Sequence, residues 1–581
     1  MKTSKFILSI LVASTSLNAL EFGSMGNTSA GMGGAGVALK NSAWGLYYNP
    51  ALLSTSPKMK LGYTVNLGLQ EKNIAQMATI DVKNMQNTAK NLADTFGSVA
   101  NNASAGGLVS ALSSALNSIT NGNQAAGGAV GGMALSANVL LAQQAAQGGN
   151  QQINLADLQK KLESYLKTSN GNHNALIDQV KQEINKNSSL NNMQKELLNG
   201  VIGGVNFDSL KFDSLKFDSS QQQNVQNAIS SITISKGSDK GLDKSMSDLR
   251  LVYDSLKDNH LNVVSQNGIV FQLGSKKLNN SFGTMAVGYF LSAYSNVSFK
   301  ANADRMRLIL DAGGSYYELD IGGGNYTYKL SSEDDYKKYS LLAALQETDP
   351  DKGHNIYLTA FVLNEIPVGY SRTFYLRNSN INVGIAGKFM SASSTQNKIA
   401  ITTHTNFSKE LKTITSNFKR LHSDKAFGLD VGLVYEIDLP KFRNLTFGLV
   451  AKNLNSPAFK STYEDIVIKP QVRLGTAYYT TSGFNIALDV DVTQNDILGL
   501  STIKQKSQMI GGGVGFLWRG MDIRTGLMKD LLQDNGLILT GGINLLGFLD
   551  IALQSSTKFT TIQKFPIPQY FNLHVGGSIS W

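Results

Sequence analysis

The chain closes on Phe571-Asn572-Leu573-His574-Val575-Gly576-Gly577-Ser578-Ile579-Ser580-Trp581. In an extended chain Phe571, Leu573, Val575, Ile579 and Trp581 fall on one side, and Asn572, His574, Ser578 and Ser580 on the other. A period of two with one apolar face suits a strand whose outer side touches lipid and whose inner side lines a polar lumen. Residues 58–70 repeat the pattern more strictly: Met59, Leu61, Tyr63, Val65, Leu67 and Leu69 alternate with Lys60, Gly62, Thr64, Asn66 and Gly68. A helix would instead place its apolar residues three and four apart. The alternation returns at 427–437 (Phe427, Leu429, Val431, Leu433, Tyr435, Ile437) and at 484–493 (Phe484, Ile486, Leu488, Val490, Val492).

Extending this reading predicts about fourteen strands, at 58–70, 267–274, 282–293, 355–372, 381–393, 427–437, 445–453, 470–480, 484–493, 507–518, 520–528, 536–546, 548–556 and 569–581. The connections between them alternate in length. Short turns at 275–281, 373–380, 438–444, 481–483, Arg519 and Gly547 interleave with long links at 71–266, 294–354, 394–426, 454–469, 494–506, 529–535 and 557–568. Short turns on one side and long loops on the other, with an even strand count, are the pattern of an all-β transmembrane barrel.

The other end of the chain is consistent with export. Lys2 and Lys5, an apolar run from Phe6 to Ala13, and Leu17-Asn18-Ala19 before Leu20 read as a signal peptide spanning 1–19. That run is too short to span a bilayer, and no later stretch of about 18 to 20 apolar residues appears. The absence of cysteine excludes disulfides, thiolate metal sites and lipoprotein anchoring. Charged residues make up 16% of the chain, and the formal charge of +10 becomes +8 once the two leader lysines are removed. The basic residues form no dense run interleaved with aromatics, so no nucleic-acid partner is expected. Contact with anionic lipid headgroups accounts for them.

The link at 71–266 is too long to lack structure of its own. Leu155, Leu158, Leu162 and Leu166 recur at helical spacing, and 191–198 and 245–256 continue similarly, so a large, mainly α-helical insert is expected after the first strand. No charge interrupts 95–156, where Ala, Gly, Ser, Asn and Gln dominate. The pentapeptide Phe207-Asp208-Ser209-Leu210-Lys211 repeats at 212–216 and in part at 217–219, too few copies for a solenoid.

Between leader and first strand, residues 20–57 contain Gly31-Met32-Gly33-Gly34-Ala35-Gly36 and Trp44-Gly45-Leu46-Tyr47-Tyr48-Asn49-Pro50-Ala51. Gly31, Gly33 and Gly36 match a dinucleotide fingerprint in spacing only, because a cleaved leader rather than a strand precedes them. This glycine cluster followed by Asn49, Pro50 and Ala51 resembles the start of the long-chain fatty-acid transporter (FadL) superfamily of outer-membrane barrels. The resemblance implies an N-terminal hatch folded into the lumen of a fourteen-stranded barrel. Phe447-Gly448-Leu449-Val450-Ala451-Lys452-Asn453-Leu454-Asn455-Ser456-Pro457 and the strand from Pro470 to Tyr478 more closely resemble the TraF-like barrels of conjugal transfer and the PorV-like barrels of secretion systems. The terminal alternation ending on Trp581 resembles the closing strand that barrel-assembly machinery reads. The likeness covers about 21–70 and 267–581, and the insert departs from the fatty-acid transporters. It implies an outer-membrane location and passive passage of small hydrophobic molecules; the alternative is an accessory role in a transfer or secretion apparatus, with the insert docking a partner protein.

If the apolar face meets lipid, the opposite face lists the lumen: Lys388, Asp430, Glu436, Lys452, Arg473, Asp489, Asp491, Asp522, Arg524, Asp550 and His574. Opposite signs there are expected to pair, since buried charges need compensation. Asp489 and Asp491 lie two apart on one strand, but one strand alone does not make a metal site, and neither metal nor cofactor is expected. Five of six histidines, His173, His260, His354, His404 and His422, fall in the insert or links. No spacing brings a nucleophile to a base, so the chain is not expected to be an enzyme.

Overall fold

The computed structural model describes residues 19–20, 23–74, 233–234, 236–237, 240–255 and 259–581, apart from short gaps at 312–313, 315, 321–325, 350, 403–404, 406–421, 499–504, 520, 546–547 and 563–564, with a few isolated residues between 87 and 199. Fourteen antiparallel strands close into one barrel. In chain order they are β1 (Lys60–Lys72), β2 (His260–Leu273), β3 (Thr284–Lys300), β4 (His354–Tyr375), β5 (Ser379–Ile401), β6 (His422–Leu439), β7 (Arg443–Lys452), β8 (Gln471–Tyr479), β9 (Asn485–Asp491), β10 (Met509–Trp518), β11 (Met521–Asp530), β12 (Leu537–Leu545), β13 (Leu549–Ser556) and β14 (Tyr570–Ser580). Each contains the centre of one strand read from the sequence. Closure comes from β14 pairing with β1, Lys60 opposite Ser580 through Gln70 opposite Tyr570. Beyond the ladder, Trp581 and Met59 exchange backbone hydrogen bonds of 3.2 and 3.0 Å.

The outward face is apolar as the alternation requires. Val65 and Leu67 on β1, Val383, Ile385 and Phe389 on β5, and Leu573, Val575 and Ile579 on β14 are all exposed. From Leu61 to Leu69 the apolar face runs about 26 Å along the strand, close to the apolar band of about 25 Å that membrane barrels carry. Exposed Phe282, Phe374, Tyr375, Phe442, Trp518, Phe548 and Trp581 ring the short-turn end, an interfacial girdle. Among the described residues no helix is long and apolar enough to cross a membrane, which says nothing against strands crossing it.

The wall is uneven in height. β4 and β5 have 22 and 23 residues, whereas β9 has 7 and β13 has 8. Above Phe389 the outward positions of β5 turn polar (Ser391, Ser393, Thr395, Asn397), so its last dozen residues stand beyond the bilayer on the long-loop side. The link between β3 and β4 forms part of a four-stranded sheet, with strands Leu308–Asp311, Tyr316–Asp320 and Tyr326–Ser331. Helices Glu333–Tyr339 and Leu341–Ala344 follow, N-capped by Ser332 and Ser340.

The expected mainly helical insert needs correction. Among described residues of 71–266 one continuous helix stands, Lys240–Ser255, while the β-branched pair Thr233–Ile234 supplies the fourth strand of that external sheet by pairing with Tyr326–Thr327. The chain also returns to the wall at His260, seven residues earlier than its alternation shows. The leucine series at 155–166 and the pentapeptide repeat lie outside the described residues, as does the leader through residue 18.

Candidate functional site

Residues 24–56 lie inside the barrel, almost all of them buried. Three short helices, Asn27–Gly31, Gly45–Tyr48 and Leu52–Thr55, are joined by tight turns that need glycine at Gly33 and Gly34, whose φ angles are +66° and +73°. Met25, Trp44, Leu46, Tyr47, Tyr48 and Leu53 form a core with inward-facing Val270, Phe290, Ala386 and Val450. This apolar interior explains how the segment holds inside a polar wall: its own aromatic residues pack together, and its backbone is left for the wall to satisfy.

The wall does so with side chains from strands around the circumference. Gly36 and Val37 both donate their N–H to Asp489 Oδ2, at 2.8 and 2.9 Å. Gly33 N–H donates to Thr540 Oγ1 at 3.0 Å, and that hydroxyl donates to the Gly31 carbonyl at 3.1 Å. Gln554 Nε2 donates to the Ala30 carbonyl at 2.9 Å, and Asn27 Nδ2 donates to the Asp550 carbonyl. Asn49 is fully buried; its Nδ2 donates to the carbonyls of Val37 (3.1 Å), Leu433 (3.3 Å) and Leu449 (3.3 Å), and its Oδ1 accepts from Ala51 N–H at 3.0 Å. Pro50 and Ala51 rest against Gly384 of β5, and the Asn49 carboxamide against Gly432 of β6, at positions where a Cβ would collide.

Of the eleven charged or titratable residues predicted to face inward, ten are buried: Lys388, Asp430, Glu436, Lys452, Arg473, Asp489, Asp491, Arg524, Asp550 and His574. Asp522 sits at the short-turn mouth with its side chain 38% exposed. Most pair across strands. Lys388 Nζ lies 3.0 Å from Asp430 and 3.3 Å from Glu365; Arg473 meets Asp491 at 2.5 Å; Arg524 meets Asp550 at 2.8 Å and Asp522 at 2.5 Å. Glu436 reaches Lys40 of the N-terminal segment at 3.7 Å, and the Lys452 ammonium lies 3.8 Å from the centre of the Tyr47 ring. His574 Nε2 lies 3.4 Å from Asn66 Nδ2. Asp489 and Asp491 do not act together: the first holds the backbone of Gly36 and Val37, the second pairs with Arg473, accepts from Asn495 and from Met509 N–H. Among the described residues no group of acidic or histidine side chains is arranged to hold a metal. On the outside, Leu573, Val575, Ile579 and Trp581 are exposed and Phe571 is half-buried.

Thr540, Gln554 and Asn27 escaped the sequence reading because polar uncharged residues carry no pairing signal. The wall ladder is interrupted at two places, briefly at Gly288 and Tyr289 between β3 and β4, opposite Pro367 and Ile366, and over a longer seam. Between β1 and β2 the backbone ladder runs from Lys60–Gln272 to Thr64–Gly268, stops, and resumes at Gly68–Val264. Across the gap, side chains replace it: Asn66 N–H donates to Asn267 Oδ1 at 3.1 Å, and Ser265 Oγ donates to the Asn66 carbonyl at 2.8 Å. An apolar groove of about 260 Å³ lies outside the seam, lined by Tyr63, Val65, Ile269, Tyr289 and Leu291 among others. Inside it a cavity of about 30 Å³ is bounded by Gly23, Ser24, Gly68, Val264, Gln266 and Tyr294.

A family model described as the TraF protein of the F plasmid transfer operon matches residues 132–491, more than half of the chain. The chain belongs to this family. No curated protein matches it. Among solved structures it is similar to a mutant of Rh. blastica porin (9% identity, TM-score 0.20, covering 56% of this chain and 92% of that one). It is similar too to the FrpB iron transporter from Neisseria meningitidis (9% identity, TM-score 0.19, covering 56% and 70%). This TraF family member is a closed barrel of fourteen antiparallel strands.

Proposed function

We propose that this chain is an outer-membrane barrel whose residues 20–57 serve as a displaceable hatch, and that it passes small hydrophobic molecules by gated diffusion, without catalysis or an energy source. The observation that carries this reading is the β1–β2 seam. A stretch of wall closed by side chains instead of a backbone ladder costs less to open than a continuous ladder, and here it separates a lipid-facing apolar groove from a cavity beside the first hatch residues. An apolar molecule dissolved in the bilayer would reach the lumen by that route, and the hatch would move to let it leave. Val65 and Asn267 stand opposite one another across the break, and the chain has no cysteine of its own. A V65C/N267C pair oxidised to a disulfide should therefore abolish entry of a lipophilic dye into proteoliposomes or cells, and reductant should restore it. Uptake indifferent to the lock would end the reading.

Membership in a transfer-operon family supports a second reading, as an accessory component of a conjugal transfer or secretion apparatus. The insert would then be the docking element, with the tall β4–β5 wall and the external sheet, to which Thr233–Ile234 join it, as its support. Deleting 75–232 separates the two: loss of complex assembly with dye uptake intact favours docking, and the reverse favours transport.

A further inference from the structure

The motif Lys452-Asn453-Leu454-Asn455-Ser456-Pro457 turns the β7–β8 link inward. Asn453 and Ser456 adopt left-handed φ angles of +53° and +52° without being glycine. Asn453 N–H donates to Asp430 Oδ1 at 2.8 Å, Asn455 Oδ1 accepts from Leu429 N–H at 3.1 Å, and so the turn is pinned to β6. Beyond it a small hairpin, Ala458–Phe459 against Ile466–Val467, packs against inward residues of β4 and β5. Its outer side shows Tyr463 and Val467, both exposed. Its inner side sends Phe459, 1% exposed, into a recess formed by Phe361, Leu363, Met390 and Ala392, with the Phe459 and Phe361 ring centres 5.7 Å apart.

We propose that this recess is a binding site for a single aromatic ring or a short alkyl chain, that Phe459 is its resting occupant, and that residues 453–470 are the lid that ligand displaces. The inference rests on the transport reading above and names a site within it. Two observations carry it. Inward faces of a barrel wall are polar where water reaches them, yet Phe361, Leu363, Met390 and Ala392 are successive inward positions on neighbouring strands, so this part of the wall is built for an apolar occupant. The recess also adjoins the seam, with Tyr294 between them: it packs against the Phe361 cluster and lines the cavity behind the β1–β2 break. The lid is fastened to the wall by Ser394 Oγ donating to the Lys460 carbonyl (3.1 Å), Gln396 Oε1 accepting from Tyr463 and Glu464 N–H (2.9 and 3.1 Å), Gln396 Nε2 donating to the Glu464 carbonyl (3.3 Å), Gln396 N–H donating to Thr462 Oγ1 (3.4 Å), and Asp424 Oδ2 accepting from Lys460 N–H (3.0 Å). An arriving ring replaces the contacts that Phe459 makes, so opening the lid costs these bonds and the packing of Ile466 and Ile468, with the turn pinned at Asn453 and Asn455 as its hinge.

The test uses toluene, the phenylalanine side chain without its backbone, on the full chain in proteoliposomes. I466C, at a lid position 9% exposed, reports lid opening through its reaction with a water-soluble maleimide. Toluene should accelerate that reaction at least fivefold, while S29C in the N-terminal segment stays unchanged as the control for a general membrane effect. In an F459A/I466C chain the recess is vacant, so toluene should bind at tenfold lower concentration and no longer change labelling. If I466C does not give a heat-modifiable barrel, I468C replaces it. A folded I466C or I468C barrel whose labelling ignores toluene overturns the site and leaves Phe459 as ordinary core. A barrel that responds to toluene yet carries no dye keeps the site and loses the transport reading.

Discussion

Gly33 and Gly34 are adjacent, both left-handed, and surrounded differently, which makes them a test of whether the wall holds the N-terminal segment. A Cβ on Gly33 would fall on the carbonyl oxygens of Gly512 and Leu527, the latter 2.5 Å away; both carbonyls belong to wall strands β10 and β11. A Cβ on Gly34 meets first the Met528 Cε, at 3.1 Å, the free end of a flexible side chain. Each alanine substitution costs about 1–2 kcal/mol for the left-handed backbone. Only Gly33→Ala adds overpacking against atoms that cannot move, about 1–3 kcal/mol more. With a factor of ten for every 1.4 kcal/mol, undocking should rise about 10-fold for Gly34→Ala and about 100-fold or more for Gly33→Ala. The assay is thiol labelling of S29C, 3% exposed in the docked segment, whose rate follows the undocked population. Equal rates in the two variants would refute the reasoning, because backbone strain alone would then account for both.

Three further outcomes follow from the wall and the external sheet. Arg524→Leu leaves buried Asp550 without its cation and should destabilise the barrel by about 3–5 kcal/mol, read as a lower temperature for loss of the heat-modifiable form; the double variant with Asp550→Leu should recover part of it. Outside the membrane, Arg307 grips Glu318 through two hydrogen bonds of 2.7 and 2.6 Å and holds its carboxyl below the ordinary carboxylate range. A lowered folded value gives stability that is full above the ordinary range and is lost as pH falls through the lowered one, so protease protection of residues 305–349 should fall in acid and Glu318→Gln should flatten that dependence. Removing Trp581 takes away the residue that exchanges backbone hydrogen bonds with Met59 and should slow appearance of heat-modifiable barrel several-fold, while Trp581→Phe should assemble normally.

The fourteen strands were legible wherever a wall touches lipid on one side, because only there does each odd position have to be apolar. The same logic explains where the reading stopped. On β5 the outward positions beyond Phe389 are Ser391, Ser393, Thr395 and Asn397, while the inward ones carry Met390 and Ala392, so the apolar face changes sides as the strand leaves the bilayer. A search for one continuous apolar face ends at that inversion, so 394–401 went unread as strand, and 260–266 went unread where the outward Ser265 and Asn267 interrupt the apolar face of β2. Charged lumen residues were legible from parity alone. Their partners were not: Lys388 meets Asp430 on the next strand, but Asp489 meets backbone N–H groups more than 450 residues away in sequence.

A second signal was present at inward parity and carries more about function than the charges do. Gly62 on β1, Gly369 on β4, Gly384 on β5, Gly432 on β6, Gly448 on β7, Gly513 on β10 and Gly526 on β11 all face the interior, and a Cβ at each would strike residues of the N-terminal segment. A water-filled lumen sets no such demand, since water yields to any side chain and glycine weakens a strand. Glycines at inward positions of seven strands therefore mark close approach of the N-terminal segment, by its backbone at Gly384, Gly448, Gly513 and Gly526 and by its side chains at Gly62, Gly369 and Gly432. The interior of this barrel obeys the packing rules of a protein core, and a molecule crossing it must first displace protein.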